Sequence, residues 1–346
     1  MILDAKTLTS LESCPRQIVL SAAWQVRRWR AKALFDACLR VGIARMTNGT
    51  SARDAATEMK GEFLQAAANP GLDLPLGSAS YKIAKDYAAM LDTVLRAAAR
   101  WNLPALQDTP AVPLGEGVEW QPLAAMDATG ELHRIVTVDA WTDAAMAREL
   151  HGWFVAGDTA ATGRGMMIHV VEIGRTRKGR RESFWARGWK RQEMPSLRMR
   201  FVRKSSPGNE RRAKQEFKGQ GWKPVYLADY PHSDPDVWVE GMVREGVADA
   251  LVHHVGVRPP GDRVRQATLA QMLQEGVRMT AILATHTGTE WTTMPMHRAA
   301  CDAIVPCPWQ HACYATDALI VNDLSNTGLY VPRERSMLHA VSTSAK

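Results

Sequence analysis

Two short runs decide how this chain is read: Ile135-Val-Thr-Val-Asp139 and Ile168-His-Val-Val-Glu172-Ile173. Each is an apolar, β-branched stretch of strand length that carries one carboxylate at or near its end. A carboxylate in such a strand is expensive unless it is paired or bound to a cation. Two of them held a few ångströms apart can coordinate Mg²⁺ or Mn²⁺, which prefer oxygen ligands and keep positions open for water and a phosphate. The competing reading gives each carboxylate an ordinary surface ion pair with one of the nearby arginines.

Outward from these runs the pattern stays β-like over residues 118–124, 132–141 and 166–173, with a helical insert over 142–155. A central sheet follows. The glycine-rich stretch Gly157-Asp-Thr-Ala-Ala-Thr-Gly163-Arg-Gly165 lacks the Gly-Lys-Ser/Thr ending of a phosphate-cradling loop and reads as a turn leaving that insert. Residues 8–101 read as helical, most clearly over 81–101, where Ile83, Tyr87, Leu91, Val94, Leu95 and Ala98 recur at helical spacing. A second, mostly helical region is expected over 236–284. The expected organisation is one elaborated α/β domain in three stretches: helical 1–110, the core sheet and a basic segment in 111–235, and helical 236–346.

The formal net charge of +7 is unevenly placed, because residues 175–223 hold seventeen Lys or Arg against four Glu and no Asp. Within that segment Phe184, Trp185, Trp189, Phe201, Phe217 and Trp222 are interleaved with Arg180, Arg181, Arg187, Lys190, Arg191, Arg200, Arg203 and Lys204. Cations neutralise phosphates and release counterions, and flat rings stack on unpaired bases, so the mixture suits a nucleic-acid groove. Amphipathic strands with inward aromatics and solvated charges would give the same composition. A membrane surface fits less well, since Gly179, Gly188, Pro195 and Pro207 interrupt any helical apolar face.

With 346 residues and 46% hydrophobic content the chain can bury a large core. Its first residues lack the charged start and apolar run of an export signal, and no stretch has eighteen consecutive apolar residues. The expectation is a reducing cytoplasm, where clustered cysteines act as metal or redox ligands rather than disulfides. Three of the five cysteines lie in Cys301-Asp-Ala-Ile-Val-Pro-Cys307-Pro-Trp-Gln-His-Ala-Cys313, and Pro306 and Pro308 favour a loop that folds back on itself. Their spacing matches neither a zinc ribbon nor the common ferredoxin runs. His297 and His311 flank the loop and would complete a Cys/His site if the metal were zinc. His232, His253 and His254 read as solvated or satisfied core histidines. No G-x-S-x-G or H-E-x-x-H pattern is present.

The run Leu8-Thr-Ser-Leu-Glu-Ser-Cys14-Pro15-Arg16-Gln17 resembles the opening helix of the iron-sulfur members of the PD-(D/E)XK nuclease superfamily, found in AddB-type helicase-nucleases, CRISPR adaptation nucleases and phage relatives. The far end is similar to their terminal cysteine triplet, and the order of helices, Asp strand, Glu strand and helices follows their layout over most of the chain. The resemblance implies a restriction-endonuclease-like core sheet flanked by helices. It makes Cys14, Cys301, Cys307 and Cys313 the ligands of a 4Fe-4S cluster that joins the N- and C-terminal ends, and leaves Cys38 as a core thiol. It also makes Asp139 and Glu172 the ligands of Mg or Mn in phosphodiester hydrolysis.

The implied substrate is DNA, as ends or single strands, in recombination, repair or defence, with a helicase or recombination partner. The chain departs from the family where Glu-x-Lys would require a lysine, because Gly174 stands there. Lys178 is the expected substitute. The histidine of the early helix is also missing around Phe35-Asp36-Ala37-Cys38, and no convincing Gln-x-x-x-Tyr motif follows the sheet. A relative that binds nucleic acid without cutting it is the alternative.

Overall fold

A computed structural model describes residues 1–26, 31–68, 78–138, 146–147, 150, 152–173, 184–187, 198–201, 222–225, 252–285, 309–314, 323–324 and 330–332. The amino-terminal part runs β1 (Ile2–Leu3), α1 (Ala5–Ser13), α2 (Pro15–Ala23), β2 (Trp24–Val26), α3 (Ala31–Thr47), α4 (Ala52–Ala68) and α5 (Ser78–Ala98). Then come β3 (Gln107–Asp108), β4 (Val112–Gly115), β5 (Val118–Trp120), β6 (Ala125–Met126), β7 (Leu132–Val138), α6 (Trp153–Thr162) and β8 (Met166–Glu172). The remainder is β9 (Phe184–Arg187), β10 (Arg198–Phe201), β11 (Trp222–Val225), β12 (Val252–Val257), α7 (Asp262–Thr285), α8 (Gln310–Cys313) and β13 (Tyr330–Pro332).

The two deciding runs are adjacent strands. β7 and β8 pair in parallel from Leu132↔Met166 to Val138↔Glu172, and parallel pairing requires a crossover, which contains α6. They form the middle of a five-stranded mixed sheet in the order β12-β8-β7-β6-β3, antiparallel elsewhere. Strand alternation sends Val138, Ile168 and Val170 to one face, where they pack with Val155 of α6. Val171, Ile173 and Val252 go to the other face, into the core built by α3, α4 and α5. Burial on both faces is why both runs are apolar at nearly every position. The protein is therefore a mixed α/β fold with helices on both sides of a central sheet.

Phe35, Leu39, Ile43, Met59, Phe63, Leu91, Val94 and Leu95 recur at helical spacing on α3, α4 and α5 and are buried against one another. Cys38 belongs to this core; burial, helped by Glu62, pushes its thiol up to about 11. Asp92 of α5 is also buried. Burial pushes its carboxyl up, but hydrogen bonds from Arg96 Nε (2.5 Å) and Lys60 Nζ (2.9 Å) outweigh that and hold it low.

A second sheet, β1-β5-β4, packs Leu3, Val118 and Trp120 against Met272 and Met279 of α7. Here α6 approaches closely: a Cβ on Gly157 would lie 2.3 Å from Trp120 Cζ2. The next residue, Asp158, is fully buried and accepts from Trp120 Nε1 (2.9 Å), Leu123 N (3.0 Å) and Ala124 N (2.9 Å).

Several expectations are corrected. Gly157 is inside a helix, and the turn falls at Gly163, whose φ of 67° closes α6 in the left-handed conformation. Residues 146, 147 and 150, inside the expected helical insert 142–155, are helical, and α6 carries helix beyond its expected end, to Thr162. Residues 252–257, inside the region 236–284 expected to be mostly helical, form β12, because the open edge of β8 offers a full ladder of partners. Residues 24–26 form β2, which pairs antiparallel with β13 from Tyr330↔Val26 to Pro332↔Trp24. That ladder joins segments about three hundred residues apart, so the two ends of the described chain meet.

Candidate functional site

At the carboxyl end of the β7–β8 pair the register sets Glu172 beside Val138, and Ile173 N donates to Val138 O at 2.9 Å. Asp139 follows Val138 directly in the chain; it lies outside the described residues, as does Lys178. Glu172 is partly exposed, and its Oε1 lies 3.1 Å from His253 Nε2 of β12. A histidine from the neighbouring strand is thus one partner of Glu172, and the arginines of the competing expectation, at 175, 177, 180 and 181, lie outside the described residues.

Across the sheet from Glu172, Thr137 meets two residues of α3. Lys32 Nζ donates to Thr137 Oγ1 (2.7 Å), Thr137 O (3.1 Å) and Asp36 Oδ2 (2.9 Å), and the Thr137 hydroxyl donates to Asp36 Oδ1. Sequence reasoning passed over this group although Asp36 stands in the stretch searched for a histidine. Its only local signal is a Lys-to-Asp spacing of four on a helix. The link to Thr137 spans more than a hundred residues and exists only in the fold.

Of the four expected cluster cysteines, Cys14 and Cys313 are described, neither in a disulfide. Cys14 is buried between α1 and α2, and Pro15 occupies the first turn of α2, where its missing N–H costs nothing. Cys313 ends α8 and is partly exposed; its N donates to Trp309 O at 2.9 Å, and Trp309 and Ala312 are buried. Cys301 and Cys307 lie outside the described residues.

The basic segment contributes the backbone of a three-stranded antiparallel sheet, β10-β9-β11, in which Arg187 is in register with Arg198 and Trp222. Arg180, Arg181, Lys190, Arg191, Arg203 and Lys204 lie outside the described residues.

A further group lies at the amino end of β7, where no site was expected. His133 of β7 and His169 of β8 are buried and stacked, with ring centroids 5.2 Å apart, and His254 of β12 meets His169 edge-on at 5.0 Å. Their nitrogens form a chain: Asp127 Oδ2···His133 Nε2 (3.3 Å), His133 Nδ1···His169 Nε2 (2.9 Å), His169 Nδ1···His254 Nδ1 (2.8 Å). Burial, reinforced by the two flanking imidazoles, pushes His169 down to about 3, so it is neutral across the physiological range. His253 and His254, expected as solvated or satisfied core histidines, point to opposite faces of β12, one to Glu172 and one to His169.

The class these features define is an α/β protein with a helix-flanked mixed sheet and polar groups at both ends of its central parallel pair. No family model matches the chain, and neither a curated protein nor a solved structure gives a significant match. No helix among the described residues is long and apolar enough to cross a membrane.

Proposed function

We propose that the chain is a metal-dependent deoxyribonuclease of the iron-sulfur PD-(D/E)XK type, acting on DNA ends or single strands in recombination, repair or defence. The observation that carries this reading is the β7–β8 register, because it brings the residue immediately before Asp139 alongside Glu172. In support, Glu172 is a partly exposed carboxylate, the hard oxygen donor that Mg²⁺ or Mn²⁺ favours. Such a cation, when bound, polarises the scissile phosphate and acidifies an attacking water. Glu172 and Asp139 would hold it. His253 keeps the Glu172 carboxylate oriented, and Lys178 is the candidate for placing the water. The basic segment would neutralise the DNA backbone. Cys14 and Cys313, and the β2–β13 ladder that joins segments from the two ends of the chain, suit a 4Fe-4S cluster completed by Cys301 and Cys307.

Gly174, standing where the motif lysine is expected, favours a second reading in which the same scaffold binds nucleic acid without cutting it. One set of experiments tests both. Anaerobically purified protein is expected to be brown, with broad absorbance near roughly 400 nm and matching iron and sulfide; colourless protein carrying zinc would sink the cluster assignment. Mn²⁺-dependent cleavage of end-labelled DNA should disappear in Asp139→Ala and Glu172→Ala and fall in Lys178→Ala. Cleavage that survives the first two changes refutes the assigned carboxylates. Salt-sensitive DNA binding without cleavage by the wild type selects the second reading.

A further inference from the structure

We propose that Asp127, Glu131 and His133 form a divalent-cation site of carboxylate–imidazole type at the amino end of β7, with His169 and His254 as its outer support. His133 stands five strand residues from Val138, about 16 Å. This site is therefore separate from Glu172 and does not depend on the nuclease reading.

The turn between β6 and β7 reads Asp127-Ala-Thr-Gly130-Glu131. Two main-chain bonds close it, Gly130 N to Asp127 O and Asp127 N to Glu131 O (both 3.0 Å), and of the Asp127 carboxylate only Oδ1 takes part, accepting from Thr129 N (2.9 Å), Thr129 Oγ1 (2.7 Å) and Glu131 N (2.9 Å). That leaves Asp127 Oδ2, the Glu131 carboxylate and His133 Nε2 with no part in the turn, yet ligand atoms of the three residues lie within 4.8 Å of one another. Among the described residues no lysine or arginine forms an ion pair with either carboxylate; Arg164 passes over Gly130 without doing so. Two negative charges thus converge beside a buried imidazole. This donor set suits Zn²⁺, Mn²⁺ or Fe²⁺.

The histidine chain supplies what a ligating imidazole needs, a partner for its other nitrogen. With one proton on each, the three rings can arrange their protons in two ways. In the first, His254 Nδ1–H donates to His169 Nδ1, His169 Nε2–H to His133 Nδ1, and His133 Nε2–H to Asp127 Oδ2. In the second, His133 Nδ1–H donates to His169 Nε2, His169 Nδ1–H to His254 Nδ1, and the His254 proton sits on Nε2. Three protons are held in both. The first satisfies Asp127 without a cation; the second bares the His133 Nε2 lone pair toward two carboxylates, an arrangement that requires one. Cation binding would exchange the first for the second without releasing a proton from the rings.

The test uses the untagged full-length chain, stripped with EDTA and titrated with Mn²⁺ while free Mn²⁺ is followed by electron paramagnetic resonance. Glu131 is exposed, so Glu131→Gln should leave the fold intact. It is expected to weaken one Mn²⁺ site at least about tenfold, while Glu172→Gln leaves that site unchanged. Because Glu172→Gln reports on the nuclease centre separately, failure of one assignment is distinguishable from failure of the other. Mn²⁺ stoichiometry and affinity unchanged in Glu131→Gln would overturn the site. With diamagnetic Zn²⁺, ¹⁵N spectra should move the His133 proton from Nε2 to Nδ1. A proton that stays on Nε2 in the Zn²⁺-loaded protein also overturns it.

Discussion

Replacing His169 with glutamine should remove a defined part of the protein's acid sensitivity. His169 is 3% exposed, and its desolvated imidazole is held down to about 3 from an unfolded value of 6.5. As the pH falls through 6.5 the unfolded chain binds a proton that the folded chain refuses, so stability declines continuously down to about pH 3. At about pH 5 the unfolded histidine is some 1.5 units below its own pKa, which corresponds to about 2 kcal/mol lost relative to neutral pH. Asp158 acts in the opposite sense. Burial pushes its carboxyl up from 3.8 to about 6, so the unfolded chain loses that proton first and stability falls as the pH rises through this window.

Both proteins keep Asp158, so the difference between them isolates His169. Glutamine retains a neutral donor and acceptor and does not titrate. Urea unfolding in EDTA at about pH 7 and about pH 5 should show the wild type losing about 2 kcal/mol more than His169→Gln on acidification. Equal losses in the two proteins would refute the claim that His169 is kept neutral by burial.

The close approach of α6 to β5 predicts that Gly157→Ala destabilises the protein although alanine favours helix. Overpacking against Trp120 costs about 1–3 kcal/mol and propensity returns about 1, so a lowered melting temperature and an altered near-ultraviolet signal from Trp120 are expected. Asp158→Ala should cost about 3 kcal/mol or more in chemical denaturation, because it strands the indole N–H and two backbone N–H groups in the core. Cys38, with its thiol raised to about 11, is expected to resist iodoacetamide at neutral pH and to alkylate only after unfolding, as read by peptide mass spectrometry.

Much of the scaffold is legible along the chain, for a physical reason. Residues 135–138 and 168–173 are apolar at most positions because both faces of β7 and β8 are covered, and the helical repeat of Tyr87, Leu91, Val94, Leu95 and Ala98 marks the buried face of α5 because burial and helical geometry share one period. Cys38 reads as a core thiol because it falls on the apolar face of α3. These are properties of neighbouring residues, and local sequence carries them.

The sites are another matter. Val252-His-His-Val-Gly-Val has no clean alternation, and it becomes a strand because the edge of β8 is open to it. Asp158 sits among glycines and threonines that read as a turn, and only the docking of α6 on Trp120 makes it a buried acceptor. The histidine chain joins residues 36 and 85 positions apart, and Lys32 meets Thr137 across 105. Amino-acid sequence alone determined that an apolar α/β core exists and which short runs build its centre. Strand order and register, which no local pattern encodes, decided which polar groups share a face, and therefore which ones can act together.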